Sequence, residues 1–149
     1  MTNYKLLHQQ LLSLTEGVGD TISNLANASA LLFHTLEGLN WAGFYLYKEG
    51  ALLLGPFQGK TACTKIPMGK GVCGTAAEKG ETIVVPDVHA FPGHIACDGD
   101  SNSEIVIPLY LRGSLYGVLD IDSPVFDRFS EEDREGLERF ARALETVLE

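Results

Sequence analysis

Positive charge is scarce in this chain: eleven lysines and arginines face twenty aspartates and glutamates, for a net charge of −9. No basic stripe appears along it, which argues against nucleic acid, because phosphate binding is dominated by clustered Lys and Arg. The same charge disfavours an anionic membrane surface. No apolar run approaches the ~20 residues a membrane span needs. The N-terminus, Met1-Thr2-Asn3-Tyr4-Lys5, lacks the basic and continuously apolar segments of a signal peptide. Cysteine is sparse too, three in number, and secreted frameworks usually pair evenly. The expectation is a cytoplasmic protein whose thiols serve reactivity or packing. Repeats and low-complexity segments are also missing.

What is there suffices for a core. A chain of 149 residues, 45% of them hydrophobic, buries enough surface to fold without disulfide staples, and a single domain spanning 1–149 is expected. Apolar residues at 3–4 spacing predict a helix over 3–15, ended by Gly17 and Gly19. A second opens on Asp20 as N-cap and runs to Glu37, before Gly38. From Asn40 to Lys48 the period becomes two, with Ala42, Phe44 and Leu46 on one face and Trp41, Gly43, Tyr45 and Tyr47 on the other. Glu49-Gly50 turns this strand into Ala51–Phe57, which ends at Pro56.

Residues 58–72 read as loop with a short strand at Thr64–Ile66, then a helix at Val72–Lys79 and a strand at Thr82–Val85. A long connection, Asp87 to Ser103, carries Cys97, His89 and His94; loops of this length are usually functional or disordered, and between compact strands a functional one is expected. Glu104–Leu111 and Ser114–Asp122 form a hairpin across Arg112-Gly113, and Ser130 caps a final helix with Asp133 closing a capping box. The predicted class is α+β: a central antiparallel sheet of five to six strands, with N- and C-terminal helices packed on it.

The chemistry concentrates between Cys63 and Asp122. Cys63 and Cys97 fall in Gly-rich or polar loops, where packing does not demand a thiol. Cys73 sits near the N-terminal end of the 72–79 helix, where partial positive charge favours a thiolate, or else it is plain core. A zinc site completed by His89 or His94 competes, but gaps of 10 and 24 residues between the cysteines contain no Cys-x2-Cys pair, and no metal is expected. In Gly117-Val118-Leu119-Asp120-Ile121-Asp122 the two aspartates share a face. They are either an exposed acidic edge or, in a central hairpin, a poorly solvated pair whose mutual repulsion a ligand ammonium or a proton relieves. Trp41, Tyr45 and Tyr47 are core or the wall of a pocket for a methyl or sulfonium-like group, with Trp41 the better candidate. The histidines show no nucleophile–base spacing and read as surface or loop.

The segments Asn40-Trp41-Ala42-Gly43-Phe44-Tyr45, Gly69-Lys70-Gly71-Val72-Cys73-Gly74, His94 to Asp98, Ser103 to Pro108 and Leu119-Asp120-Ile121-Asp122-Ser123 together resemble the free methionine-(R)-sulfoxide reductases, GAF-domain enzymes, over nearly the whole chain. The resemblance implies a GAF-like fold and thiol-dependent reduction of free L-methionine-(R)-sulfoxide without a cofactor. Cys97 would attack the sulfoxide sulfur and become a sulfenic acid. Cys63 would resolve it as a disulfide, Cys73 would be a secondary thiol, and thioredoxin would regenerate the dithiol. Glu104, Asp120 and Asp122 would bind the ammonium and the sulfoxide oxygen between them, with Trp41 and Tyr45 around the methyl group. A homodimer is also expected.

The residues fit this by themselves: a zwitterion's ammonium explains unpaired acids, and its carboxylate would meet backbone N–H groups of the long loop. The rival is a GAF-like sensor that binds a small ligand and signals, or a redox sensor that uses the Cys63–Cys97 pair and a partner protein. Sensors are usually fused to an output element, and this sequence stops one helix after the acidic strand.

Overall fold

The computed structural model describes residues 1–95 and 97–149. Six strands form one antiparallel sheet: β1 (Trp41–Lys48), β2 (Ala51–Gly59), β3 (Lys65–Pro67), β4 (Ile83–Val85), β5 (Ser103–Leu111) and β6 (Ser114–Ser123), in the order β3-β2-β1-β6-β5-β4. Four helices accompany them: α1 (Tyr4–Thr15), α2 (Thr21–Thr35), α3 (Gly71–Lys79) and α4 (Glu131–Glu145). The α+β architecture expected from the pattern, an antiparallel sheet with helices packed on it, is the one observed.

The sheet divides two apolar clusters. Ala42, Phe44 and Leu46 of β1, Ile105 and Ile107 of β5, and Leu119 and Ile121 of β6 pack on α1, α2 and α4. The alternate residues of the same strands, Trp41, Tyr45, Val106 and Val118, pack on α3 and the connections around it. Because side chains alternate along each strand, one central hairpin serves both clusters. Three helices close the first face. The second has one short helix and long loops, and the space between them is the site.

Several boundaries differ from the sequence expectations for local reasons. Helix α2 stops at Thr35 because Leu36 already turns extended, with its N–H still given to Leu32 O. Strand β2 continues through Pro56 to Gly59, since a bulge opposite Phe44 places Gly55-Pro56 out of the ladder and spares proline its missing donor. The strand expected at 64–66 lies at Lys65–Pro67. Within the long connection, Asp87 caps a 3-10 turn at Val88–Ala90 by accepting from His89 N.

The capping box at Ser130 and Asp133 is present. Asp133 also accepts from the Tyr4 hydroxyl at 2.6 Å and pairs with Arg128 at 3.1 Å, which ties α1 to α4. Gly136, one turn on, makes that contact possible, because a Cβ there would land in the Tyr4 ring. In an open helix interior Gly→Ala stabilises by about 0.5–1 kcal/mol. Here Gly136→Ala is expected to destabilise by about 1–3 kcal/mol, the ordinary cost of overpacking, lowering Tm by several degrees. A Tm that rises instead would show that α1 does not pack against that turn.

Candidate active site

The site is built on the central hairpin. In the β5–β6 ladder Glu104 stands directly opposite Asp122, and in the β1–β6 ladder Trp41 faces Asp122 from the other side while Gly43 faces Asp120. Directly opposed residues have Cβ atoms about 4.5–5.5 Å apart, so two acids are forced together on a face that is otherwise apolar. Glu104 and Asp120 are 6% and 5% exposed, and Asp122 is half-buried. The sheet position also settles the ambiguity of the aspartate pair: they line a cavity and are not a solvated edge.

That cavity, about 40 Å³, brings together Trp41, Tyr45, Cys73, Cys97, Glu104, Asp120 and Asp122. Cys63 and Cys97 are joined by a disulfide with Cα atoms 5.4 Å apart. Cys97 lines the cavity and Cys63 is behind it, so the bond sits in the cavity wall. Two sulfurs engaged with each other also remove the three-cysteine zinc set considered above. Cys73, the remaining thiol, is buried on α3, with its Sγ 3.9 Å from Glu104 Oε2.

Electrostatics here run against isolated-residue behaviour. Burial first, then repulsion by Asp120 and Asp122, pushes the Glu104 carboxyl well above its ordinary range. Burial followed by Asp120 does the same to Asp122. Burial also raises Asp120, against hydrogen bonds from Glu104 and Cys73 that lower it. The three titrate as a set that retains protons where isolated carboxyls have lost them.

Cys73 corrects an expectation. The positive end of α3 does not make it a thiolate, because burial and the charges of Asp120, Glu104 and Asp122 push its pKa well up. A helix terminus contributes about half a charge; three acids in a desolvated site outweigh it.

Trp41 and Tyr45 have a second task. Their rings stack at 5.8 Å, with Phe57 5.1 Å beyond Trp41. Their polar ends point at the segment carrying Cys63: Trp41 Nε1 donates to Lys60 O at 3.1 Å, and Tyr45 Oη donates to Cys63 O at 2.9 Å.

Further residues at the site have no substrate or catalytic role assigned to them from the sequence. Lys70, exposed at the rim, and His94, on the long loop as expected, both line the cavity. Burial and then His89 lower the His94 pKa, against a pull upward by Asp120. Asn40 Nδ2 donates to Asp98 Oδ2 and to Ser101 Oγ, both at 3.0 Å, which ties the start of β1 to the loop of Cys97. The loop amides expected to receive a carboxylate are largely spent: His94, Cys97 and Ser101 donate to loop carbonyls, and Asp100 N to Asp98 Oδ1. Lys70 and the first turn of α3, whose Gly71 and Val72 also line the cavity, are better placed. The first N–H groups of a helix have no partner within it.

The comparisons with known proteins agree with this geometry. A family model described as the GAF domain matches residues 11–148, which places fold and site in that class. "Protein YtsP" of Bacillus subtilis is 57% identical over 148 residues, covering 98% of this chain and 91% of that protein. The free methionine-R-sulfoxide reductase of Escherichia coli is 52% identical over 145 residues, covering 97% of this chain and 88% of its own. The reduced form of fRMsr of Staphylococcus aureus superposes with a TM-score of 0.97 at 52% identity, covering 100% of this chain and 97% of that one. The chain therefore belongs to the free methionine-R-sulfoxide reductase family of GAF domain proteins.

The raised carboxyl pKa values have a thermodynamic consequence. A group whose folded pKa lies above its unfolded value contributes stability present below the unfolded pKa and lost as pH rises toward the folded one. For Glu104 the loss begins near pH ~4.3 and continues upward. Each pH unit in that window is worth about 1.4 kcal/mol, or about 3–5 °C at this chain length. Glu104→Gln, which keeps a donor and removes the titration, is expected to gain Tm over the parent progressively above pH ~5 and not below pH ~4. A Tm difference flat across that range would mean that Glu104 has the same pKa folded and unfolded.

Proposed function

We propose that this chain reduces free L-methionine-(R)-sulfoxide to methionine, with Cys97 as the attacking thiol. The observation that carries the reading is that Cys97 lines a cavity floored by Glu104, Asp120 and Asp122 while it is disulfide-bonded to Cys63 behind that cavity. Cys97 sulfur attacks the sulfoxide sulfur. The sulfoxide oxygen, protonated by one of the buried carboxyls, ends on Cys97 as a sulfenic acid, and methionine leaves. The Cys63 thiol then displaces that oxygen as water, forming the disulfide.

The acids suit both ends of this chemistry. A carboxyl kept protonated by its neighbours can give a proton to the sulfoxide oxygen, and an ionised neighbour can hold the substrate ammonium. Trp41 and Tyr45 form an apolar wall for the methyl group, and Lys70 with the first turn of α3 receives the substrate carboxylate. Methionine sulfoxide within a protein has neither free charge, so these buried groups would go unpaired and the site rejects it. In the disulfide form the cavity, about 40 Å³, holds a few waters. A small-ligand sensor would not need a disulfide-forming pair at the cavity, and a redox sensor would not need three buried acids beside it.

Thioredoxin, by thiol–disulfide exchange, is proposed as the reductant, Cys73 as a reserve thiol, the cytoplasm as the compartment, and residues 1–149 as one catalytic domain. Leu6, Leu12 and Leu14 of α1 and Ile22 of α2 are exposed, which supports a homodimer through that surface.

Cys97→Ser is expected to abolish turnover of the free (R)-sulfoxide, while Cys63→Ser still releases about one methionine per enzyme in a single-turnover assay; release by the Cys97→Ser variant would overturn the assignment. Asp122→Asn and Glu104→Gln are each expected to lower kcat/KM by about ten- to a hundredfold, the worth of a charge-assisted hydrogen bond of about 1.5–3 kcal/mol. Less than a threefold change at both positions, measured in a coupled assay, would remove the acids from the mechanism.

A further inference from the structure

The catalytic reading uses the carboxyls for an ammonium and a proton, and leaves two facts unexplained. Cys73 is buried beside those carboxyls, and Asp120 Oδ1, on a side chain 5% exposed, has no hydrogen-bond partner among the described residues. Buried polar atoms rarely go unpaired. One donor atom each from Cys73, Glu104 and Asp120 lie within 4.8 Å of one another, from α3, β5 and β6.

We infer that Cys73, Glu104 and Asp120 form a binding site for a zinc-class divalent cation inside the substrate cavity. Around a tetrahedral zinc ion, with Zn–S about 2.3 Å and Zn–O about 2.0 Å, sulfur and oxygen ligands stand about 3.5 Å apart. The observed Cys73 Sγ to Glu104 Oε2 separation is 3.9 Å, a few tenths of an ångström more, and with all three donor atoms within 4.8 Å of one another they draw together to close on an ion. Asp120 supplies the third ligand from the same carboxylate whose Oδ1 has no partner among the described residues. The fourth position faces the cavity, which is lined by all three donors and has room for a water. One thiolate with two carboxylates selects Zn²⁺, Co²⁺ or Cd²⁺ over Mg²⁺ and Ca²⁺, which take all-oxygen sets.

Charge sets the conditions under which the site fills. Deprotonated, the three ligands carry three negative charges, and a dication leaves one. Without the cation, burial and mutual repulsion keep protons on them, so uptake of metal releases protons and affinity climbs with pH. The other groups facing the cavity are Asp122 on β6, Tyr45 on β1, Lys70 at the start of α3, and His94 and Asp98 on the long loop. Asp122 favours the cation and Lys70 opposes it. The cation occupies the acids assigned to the substrate, so it competes with methionine sulfoxide; that consequence rests on the reductase reading, whereas the binding itself does not.

In the disulfide form Cys73 is the free cysteine, so the full chain is titrated oxidised, with cobalt(II) as the probe. Expected at pH 8 is a thiolate-to-cobalt charge-transfer band with intense tetrahedral visible bands, displaced by zinc and lost in Cys73→Ser. Should Cys73→Ser fold poorly, Asp120→Asn is the second variant, expected to keep the band and weaken binding at least tenfold. No charge-transfer band with cobalt in excess, a band that survives in folded Cys73→Ser, or an unchanged affinity in Asp120→Asn would overturn the site. A Cys63→Ser/Cys97→Ser double variant, which cannot turn over, separates the two readings. Free (R)-sulfoxide is expected to raise the apparent cobalt Kd in proportion to its concentration. An intact cobalt band without competition would sink the reductase reading of the cavity and leave the cation site standing.

Discussion

The structure depends on an unfavourable contact: Glu104 and Asp122 meet across the β5–β6 ladder, with Asp120 two residues away on the same face. Like charges directly opposed in a sheet are destabilising, and burial makes the repulsion worse. The rest of the hairpin offsets this with apolar residues. Ile105, Ile107, Leu119 and Ile121 are fully or almost fully buried against the helices, each worth about 1.5–3 kcal/mol of transfer. The hairpin can hold a strained polar face because its reverse face is an anchor.

That division explains why the two sides of the sheet are built so differently. Three helices on one side leave little to adjust. On the other, α3 is nine residues long and the segments carrying Cys63 and Cys97 are loops, held by point contacts such as the Trp41 and Tyr45 side-chain donors and the Asn40 amide. The exposed Lys60–Asp100 pair adds little of its own. Redox chemistry that must bring two sulfurs together and separate them again is located on the side built from loops and one short helix.

What could be read from the chain follows the range of the interactions involved. The alternation Val118 to Asp122 fixes which residues share a face, because a strand's period is local, and the capping box at Ser130 is equally local. The bulge that admits Pro56 depends on the partner strand, so β2 reads two residues short. Lys70 and His94 reach the cavity from segments whose approach is set by tertiary packing, so the motifs that contain them do not by themselves say which side chains line it. At Cys73 the helix end was legible and the three acids facing it were not, which reverses the sign of the effect. The pairing of Cys63 with Cys97 came from family resemblance, since spacing alone does not select among three thiols.

The bond between Cys63 and Cys97 spans 34 residues, and that segment contains α3, β4 and the 3-10 turn. In the chain-entropy picture a link of this span restrains the unfolded ensemble by about 4 kcal/mol, a large part of the roughly 5–15 kcal/mol that keeps a domain folded. The oxidised resting protein is then the sturdier one, and the form armed for its substrate is the more fragile. A cell that exhausts its reductant would accumulate the durable state and keep the protein in reserve until electrons return.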